Sequence, residues 1–194
     1  MEREEILGIL KETGAVRKGH FQLTSGRHSD TYIQCARIQE HPALNDRLAA
    51  EAVSRLPQGL PIDLVAAPAV GGIVFGYAVA SALGKRFIWS ERVDGAMALR
   101  RSFEVAPGEH VLVCEDVVTT GGSVQELIEV VEAAGAVVVA VTSMIYRGGA
   151  LRFAVPYYPL IEVEAPSWDP GACVLCKEGV PIDSPGSRHI TASE

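Results

Sequence analysis

The chain has 194 residues, 48% hydrophobic and 21% charged, and 17 lysines and arginines against 24 aspartates and glutamates leave a net charge of −7. This length suits a single domain with a real core and excludes wholesale disorder, collagen-like and low-complexity classes. The acidic balance argues against a protein that coats nucleic acid, while leaving room for a local basic pocket that takes a phosphorylated small molecule.

Ile6, Leu7 and Leu10 recur at helical spacing over residues 2–13, and Gly14 is a fitting C-cap, so a short amphipathic helix opens the chain. The charged start, MEREEI, has no apolar signal segment, and four cysteines form no disulfide framework. A cytoplasmic protein is therefore expected, without a membrane or nucleic-acid partner. FQL and TYIQ predict two short strands flanking the turn residues Thr24, Ser25, Gly26 and Arg27. Pro42 can start a helix, and Leu44, Leu48, Ala52 and Leu56 continue it until Pro57 and Gly59.

A repeating order follows: Ile62 to Ala67 as strand, a Gly-rich turn, Ile73 to Leu83 as helix, Phe87 to Trp89 as strand. The run from Leu64 to Gly84 holds no charge and is long enough to span a bilayer. Pro68, Gly71 and Gly72 break it into a strand-sized and a helix-sized piece, which favours a buried α/β core. After a polar loop with two basic pairs come His110 to Glu115 as strand, Ser123 to Ala134 as helix and Val137 to Tyr146 as strand. The alternation predicts an α/β fold with a parallel sheet flanked by helices. Beyond Pro156, rising Pro, Gly and Cys content predicts irregular trim and no second domain.

The segment VLVCEDVVTTGGS, Val111 to Ser123, carries the chemistry. A buried strand ends in Glu115 and Asp116, and Val117, Val118, Thr119, Thr120, Gly121, Gly122 and Ser123 lead into a helix. Glycines let backbone approach a ligand, helix-start N–H groups point at an anion, and Thr and Ser hydroxyls add donors, so the turn suits a phosphate. The adjacent carboxylates suit the hydroxyls of an attached sugar, or a divalent cation. No G-x-x-x-x-G-K-[ST] motif occurs, which argues against a nucleoside triphosphatase.

This segment resembles the phosphoribosyl diphosphate (PRPP) loop of type I phosphoribosyltransferases, and other matches span nearly the whole chain. GHFQLTSGRHSDTYIQ resembles the hood motif of orotate phosphoribosyltransferases, PAVGGI their diphosphate turn, ERVDGAMALRRSF their mobile basic loop and YRGG the strand end that carries an orotate-binding arginine. CVLCKEGVPIDSPGSR resembles the tail of a bacterial subgroup. The resemblance implies one domain over 1–194, with a hood mainly from 1–40 plus the C-terminal tail and a PRPP-binding core at about 41–155. It implies that orotate is converted to orotidine 5'-monophosphate in pyrimidine synthesis, with Mg2+ carried by PRPP, and that a homodimer shares its active sites. Glu115 and Asp116 through Ser123, with Gly71, Gly72 and Arg92, would bind PRPP. By the same resemblance Arg100 and Arg101 would join the acid pair in catalysis. Thr119, Arg147, Tyr32 and Ile33 would meet orotate. Thr24 and Gly71 stand where the better-known enteric pattern has lysines, and the three loop arginines replace a lysine and histidine set. Independently, a planar guanidinium such as that of Arg147 can grip a carboxylate with two charge-assisted hydrogen bonds.

A phosphoribosyltransferase for a purine or uracil, and a PRPP-sensing regulator with little turnover, remain open as competitors. Cys173 and Cys176 form one CxxC pair with no second pair at metal spacing, so a packed turn is expected, with a metal site or redox chemistry as alternatives. His20 and His28 flank the hood turn with either a packing role or a substrate contact, and Phe87 and Trp89 are expected to pack the sheet.

Overall fold

The computed structural model describes residues 1–23, 25–149, 151 and 153–185. Helix α1 (Arg3–Glu12) buries Ile6, Ile9 and Leu10. It leads into the antiparallel pair β1 (Val16–Gln22) and β2 (His28–Ile33). Both strands begin earlier than FQL and TYIQ suggest, because their register aligns Val16 with Ile33. A short helix, α2 (Ala36–Gln39), precedes α3 (Pro42–Ser54), which has Pro42 in its first turn. Then come β3 (Leu64–Pro68), α4 (Gly71–Leu83), β4 (Arg86–Val93), β5 (Ala96–Leu99), β6 (His110–Val118), α5 (Gly122–Ala133) and β7 (Val137–Tyr146). The chain closes with β8 (Tyr157–Glu162), β9 (Ser167–Trp168) and α6 (Val174–Lys177).

The main sheet has the order β5-β4-β3-β6-β7-β8 and is parallel except for the edge hairpin β4-β5. Successive strand residues face opposite sides. Accordingly Val65, Leu112 and Cys114 join one core with Ile6, Leu48 and Phe75, while Leu64, Ala66, Val111 and Val113 join another with Val124, Leu127 and Val131 of α5. Burial on both faces explains why β3, β6 and β7 read as nearly continuous apolar runs. The uncharged stretch is thereby divided between β3 and α4. Among the described residues no helix is long and apolar enough to cross a membrane.

Two expectations are corrected. The polar loop after Trp89 contains a hairpin, because Asp94 and Gly95 take positive φ values of 51° and 85° and fold β5 back onto β4, the behaviour expected of an Asp-Gly pair between strands. The segment after Pro156 is more than trim. β8 extends the main sheet in parallel beside β7, and β9 pairs with β2 to complete a three-stranded sheet with β1. Beyond β9 the tail returns to the same small sheet, where Asp183 bridges Phe21 and exchanges backbone hydrogen bonds with Gln22 and His20.

Candidate active site

From β3 the chain proceeds outward to β4 and β5, and from β6 it proceeds the other way to β7 and β8. This reversal opens a crevice at the C-terminal ends of β3 and β6, the place where open parallel sheets bind ligands. Glu115, Asp116, Val117 and Val118 finish β6, Thr119, Thr120 and Gly121 form the turn, and Gly122 and Ser123 open α5. Gly71 and Gly72 open α4 on the other side.

The backbone of the turn is arranged in a way that suits an anion. Helix α5 has no side-chain cap, and Gln125 makes the first intrahelical bond, to Gly121, so among the described residues the N–H groups of the first turn stay available. Gly121 sits at φ 78°, and a Cβ there would lie 2.6 Å from Leu151 Cδ1 and 2.9 Å from the Phe153 ring. Only glycine meets both demands. Glu115 and Val117 through Val124 enclose a small cavity of about 70 Å³ at this turn.

The acid pair is held from both sides. Glu115 Oε1 accepts the Asp116 N–H at 3.0 Å, and Asp116 Oδ1 accepts the Val117 N–H at 2.8 Å. A Cβ on Gly71 would fall 2.8 Å from the Asp116 carboxylate oxygens, and one on Gly72 2.9 Å from Glu115 Oε1, so the start of α4 approaches the acids as closely as backbone can. Burial, reinforced by the neighbouring Asp116 charge, raises the Glu115 carboxyl well above the usual glutamate range. Burial likewise pushes up the thiols of Cys35 and Cys114, which makes them poor nucleophiles.

A larger cavity of about 720 Å³ adjoins the turn. Asp116, Val117, Thr119 and Thr120 form one wall, Arg147 and Gly148 a second, and Gln22, Leu23, Arg27, Tyr32 and Ile33 of the small sheet the roof. Arg147 follows β7 and is fixed by its N–H bond to the Val118 carbonyl and by a guanidinium bond to the Ala165 carbonyl at 3.3 Å. Its Nε is buried with no partner among the described residues, and burial lowers its pKa. Among the described residues this half-buried guanidinium has no carboxylate partner, and its place in a cavity wall suits it to an anion.

The expected residues Thr119, Arg147, Tyr32 and Ile33 thus share one cavity with Asp116. Arg27, read from sequence only as a turn residue, also lines it, and its guanidinium bonds the Ser167 hydroxyl and carbonyl and the Asp169 carboxylate. No local pattern announces Arg27, since its partners lie some 140 residues later. Arg92, Arg100 and Arg101 line neither cavity. Arg92 pairs with Glu126, while Arg100 and Arg101 both pair with Glu91, and Arg101 lies 5.8 Å over the Trp89 ring. Trp89 in turn packs on Phe87 and Phe103. Cys173 is buried and lies with Cys176 against His20 of β1 and His28 of β2, and neither cysteine lines the cavity. Thr24 and the end of the tail motif, residues 186–188, lie outside the described residues.

Comparison with known proteins bears on the family and the fold. Residues 34–160 match the family model described as a phosphoribosyl transferase domain. A protein from Heliobacterium modesticaldum named orotate phosphoribosyltransferase is 48% identical over 190 residues, covering 97% of this chain and 100% of that one. One of the same name from Thermotoga maritima is 48% identical over 183 residues, covering 94% and 97%. Among solved structures, that of orotate phosphoribosyltransferase from Aeropyrum pernix superimposes with a TM-score of 0.68 at 25% identity, covering 81% of this chain and 93% of that one.

Proposed function

The chain belongs to the phosphoribosyl transferase family, and on that premise we propose that it is an orotate phosphoribosyltransferase. It moves the ribose 5-phosphate of PRPP onto orotate and releases diphosphate. The observation that carries this reading is the Arg147 guanidinium, whose buried Nε has no partner among the described residues, in a cavity that Asp116, Val117, Thr119 and Thr120 also line. That spacing of functions matches a substrate pair with a carboxylated ring at one end and a sugar phosphate at the other.

The 5-phosphate sits on the backbone N–H groups of Thr120 through Ser123. Asp116 and Glu115 accept hydrogen bonds from the ribose hydroxyls, and Asp116 stabilises positive charge that develops on the ring as the bond to diphosphate lengthens. Arg147 holds the orotate carboxylate, Thr119 contacts the base, and Tyr32 and Ile33 lie against it. The roof formed by the small sheet keeps water away from the activated sugar.

Magnesium fits as a substrate-borne ion. Near the acid pair, no third His, Cys, Asp or Glu completes a cluster of ligands among the described residues, and Mg2+ is ordinarily held by one or two carboxylates together with substrate phosphates. Bound there, it supplies charge neutralisation to the departing diphosphate.

The same reading includes a cytoplasmic homodimer. Val70, Val74 and Tyr77 leave an exposed apolar stripe at 82%, 43% and 65% exposure along α4, as a subunit contact requires. Arg100 and Arg101, remote from their own chain's cavity, then serve the partner's site and neutralise diphosphate. Co-expressing Asp116→Asn with an Arg100→Ala, Arg101→Ala double variant tests the sharing. Mixed dimers should regain activity that neither parent has; no recovery in verified mixed dimers excludes it.

The primary test is diphosphate release from PRPP with magnesium in the presence of orotate, uracil, hypoxanthine or adenine. Release with orotate alone is the expected result. Release only with another base assigns a different acceptor, and tight PRPP binding without release makes the protein a sensor.

A further inference from the structure

His20, His28, Cys173 and Cys176 each offer a ligand atom, and these atoms all lie within 4.8 Å of one another. We propose that they form a structural zinc site that clamps the C-terminal tail to the β1-β2 sheet.

The distances are those of a tetrahedron with zinc at its centre. Bonds of about 2.05 Å to nitrogen and 2.3 Å to sulfur give edges of about 3.3 Å between nitrogens and about 3.6 Å between nitrogen and sulfur. Here His20 Nε2 and His28 Nδ1 are 3.1 Å apart, and three nitrogen–sulfur distances are 3.2, 3.5 and 3.7 Å. A hydrogen-bonded cluster explains this less well. His20 Nδ1 donates to the Val180 carbonyl at 2.8 Å, which leaves Nε2 of the neutral ring with a single lone pair. Three other ligand atoms converge on that lone pair. One lone pair accepts one hydrogen well, whereas a cation at the centre satisfies all four groups at once. The Val180 carbonyl then plays the outer-shell part that orients a metal-bound histidine.

The charges also balance. Binding converts two thiols to thiolates and releases two protons, so Zn2+ with two thiolates and two neutral imidazoles is uncharged overall. That suits His20, His28 and Cys173, which are all buried. Two donors come from the hood strands and two from a four-residue helix and its N-cap, which has little else to hold it. The tail segment so fixed carries Asp183, whose backbone extends β1, while Arg27 between the histidine strands roofs the larger cavity.

The test begins with the full-length protein, purified without a histidine tag, and counts metal per chain by elemental analysis. One zinc per chain is expected. Replacing it with cobalt should give the visible bands of a tetrahedral ion and sulfur-to-cobalt charge-transfer absorption in the near ultraviolet. Cys176→Ser and His28→Ala should lose the metal, while His41→Ala, at an exposed histidine elsewhere, retains it. Should either cluster variant fail to fold, chelation of the wild-type protein gives the same readout through its thermal midpoint, which falls and is restored by zinc. Zinc-free protein with both thiols titrating as free, or with Cys173 and Cys176 joined as a disulfide, overturns the proposal. These readouts do not depend on the reaction assigned above. If that assignment also holds, zinc removal raises KM for orotate several-fold more than KM for PRPP, because the clamp supports the roof and not the phosphate turn.

Discussion

The two ends of the cavity are built differently. The end proposed to hold phosphate is one uninterrupted segment, Glu115 to Ser123, which presents backbone N–H groups and paired acids. The end proposed to hold the base is gathered from the residues between β1 and β2, the end of β2, the residue after β7 and the approach to β9. A contiguous site is preorganised by one strand, one turn and one helix. A gathered site is only as well placed as the packing that brings its parts together, so substitutions at the two ends should fail in different ways.

The largest effect is expected at the base end. Arg147→Ala should cost about 2 to 5 kcal/mol in orotate kcat/KM, the range for removing one partner of a buried charge pair, with PRPP binding preserved. Unchanged orotate kinetics would break the comparison at its centre. Asp116→Asn should lower kcat by about 10²-fold, in keeping with loss of one preorganised electrostatic group, while circular dichroism stays native; wild-type turnover removes Asp116 from the ribose. Gly121→Ala should cost about 1 to 3 kcal/mol through a left-handed backbone that alanine resists, added to its clash with Leu151. The loss should appear in PRPP affinity before orotate affinity, and the reverse order would place the turn at the base end.

The smallest effect concerns Glu115. Its native pKa is raised by burial, so the folded protein keeps a proton that the unfolded chain gives up at about 4.3. The unfolded state is the first to ionise as pH rises. This group's contribution to stability is therefore complete below about pH 4.3 and is lost as pH climbs toward the raised native value. Glu115→Gln should flatten that decline in urea midpoints measured across pH, and a slope equal to wild type would mean the carboxyl is solvated.

What the sequence discloses follows the same division. The strand, turn and helix from Val111 to Ala133 are legible because acids, glycines and helix start are consecutive, and Pro42 and Gly14 mark helix ends through local backbone chemistry. Val137 to Tyr146 is a strand with the bounds its apolar run suggests. By contrast β9 is two residues long and exists only through its pairing with β2, so no periodicity could reveal it. Arg27 looks like any turn residue until Ser167 and Asp169 are placed beside it. Cys173 and Cys176 read as a packed turn, because the two histidines they meet stand some 150 residues earlier, on β1 and β2. The Asp94-Gly95 hairpin was within reach of sequence reading, for that dipeptide is a strong short-range hairpin signal.

The three-stranded sheet draws on both ends of the chain: β1 and β2 come from the first 33 residues, and β9 with the Asp183 bridge from beyond residue 166. Its strands therefore wait through nearly the whole of synthesis for their partners, whereas β3 through β7 with α4 and α5 can assemble as soon as residue 146 has emerged. Contacts of such long sequence separation form late and slowly. The nascent protein is thus expected to own a phosphate site before it owns a place for the base, and the last step of its folding is the step that makes it selective.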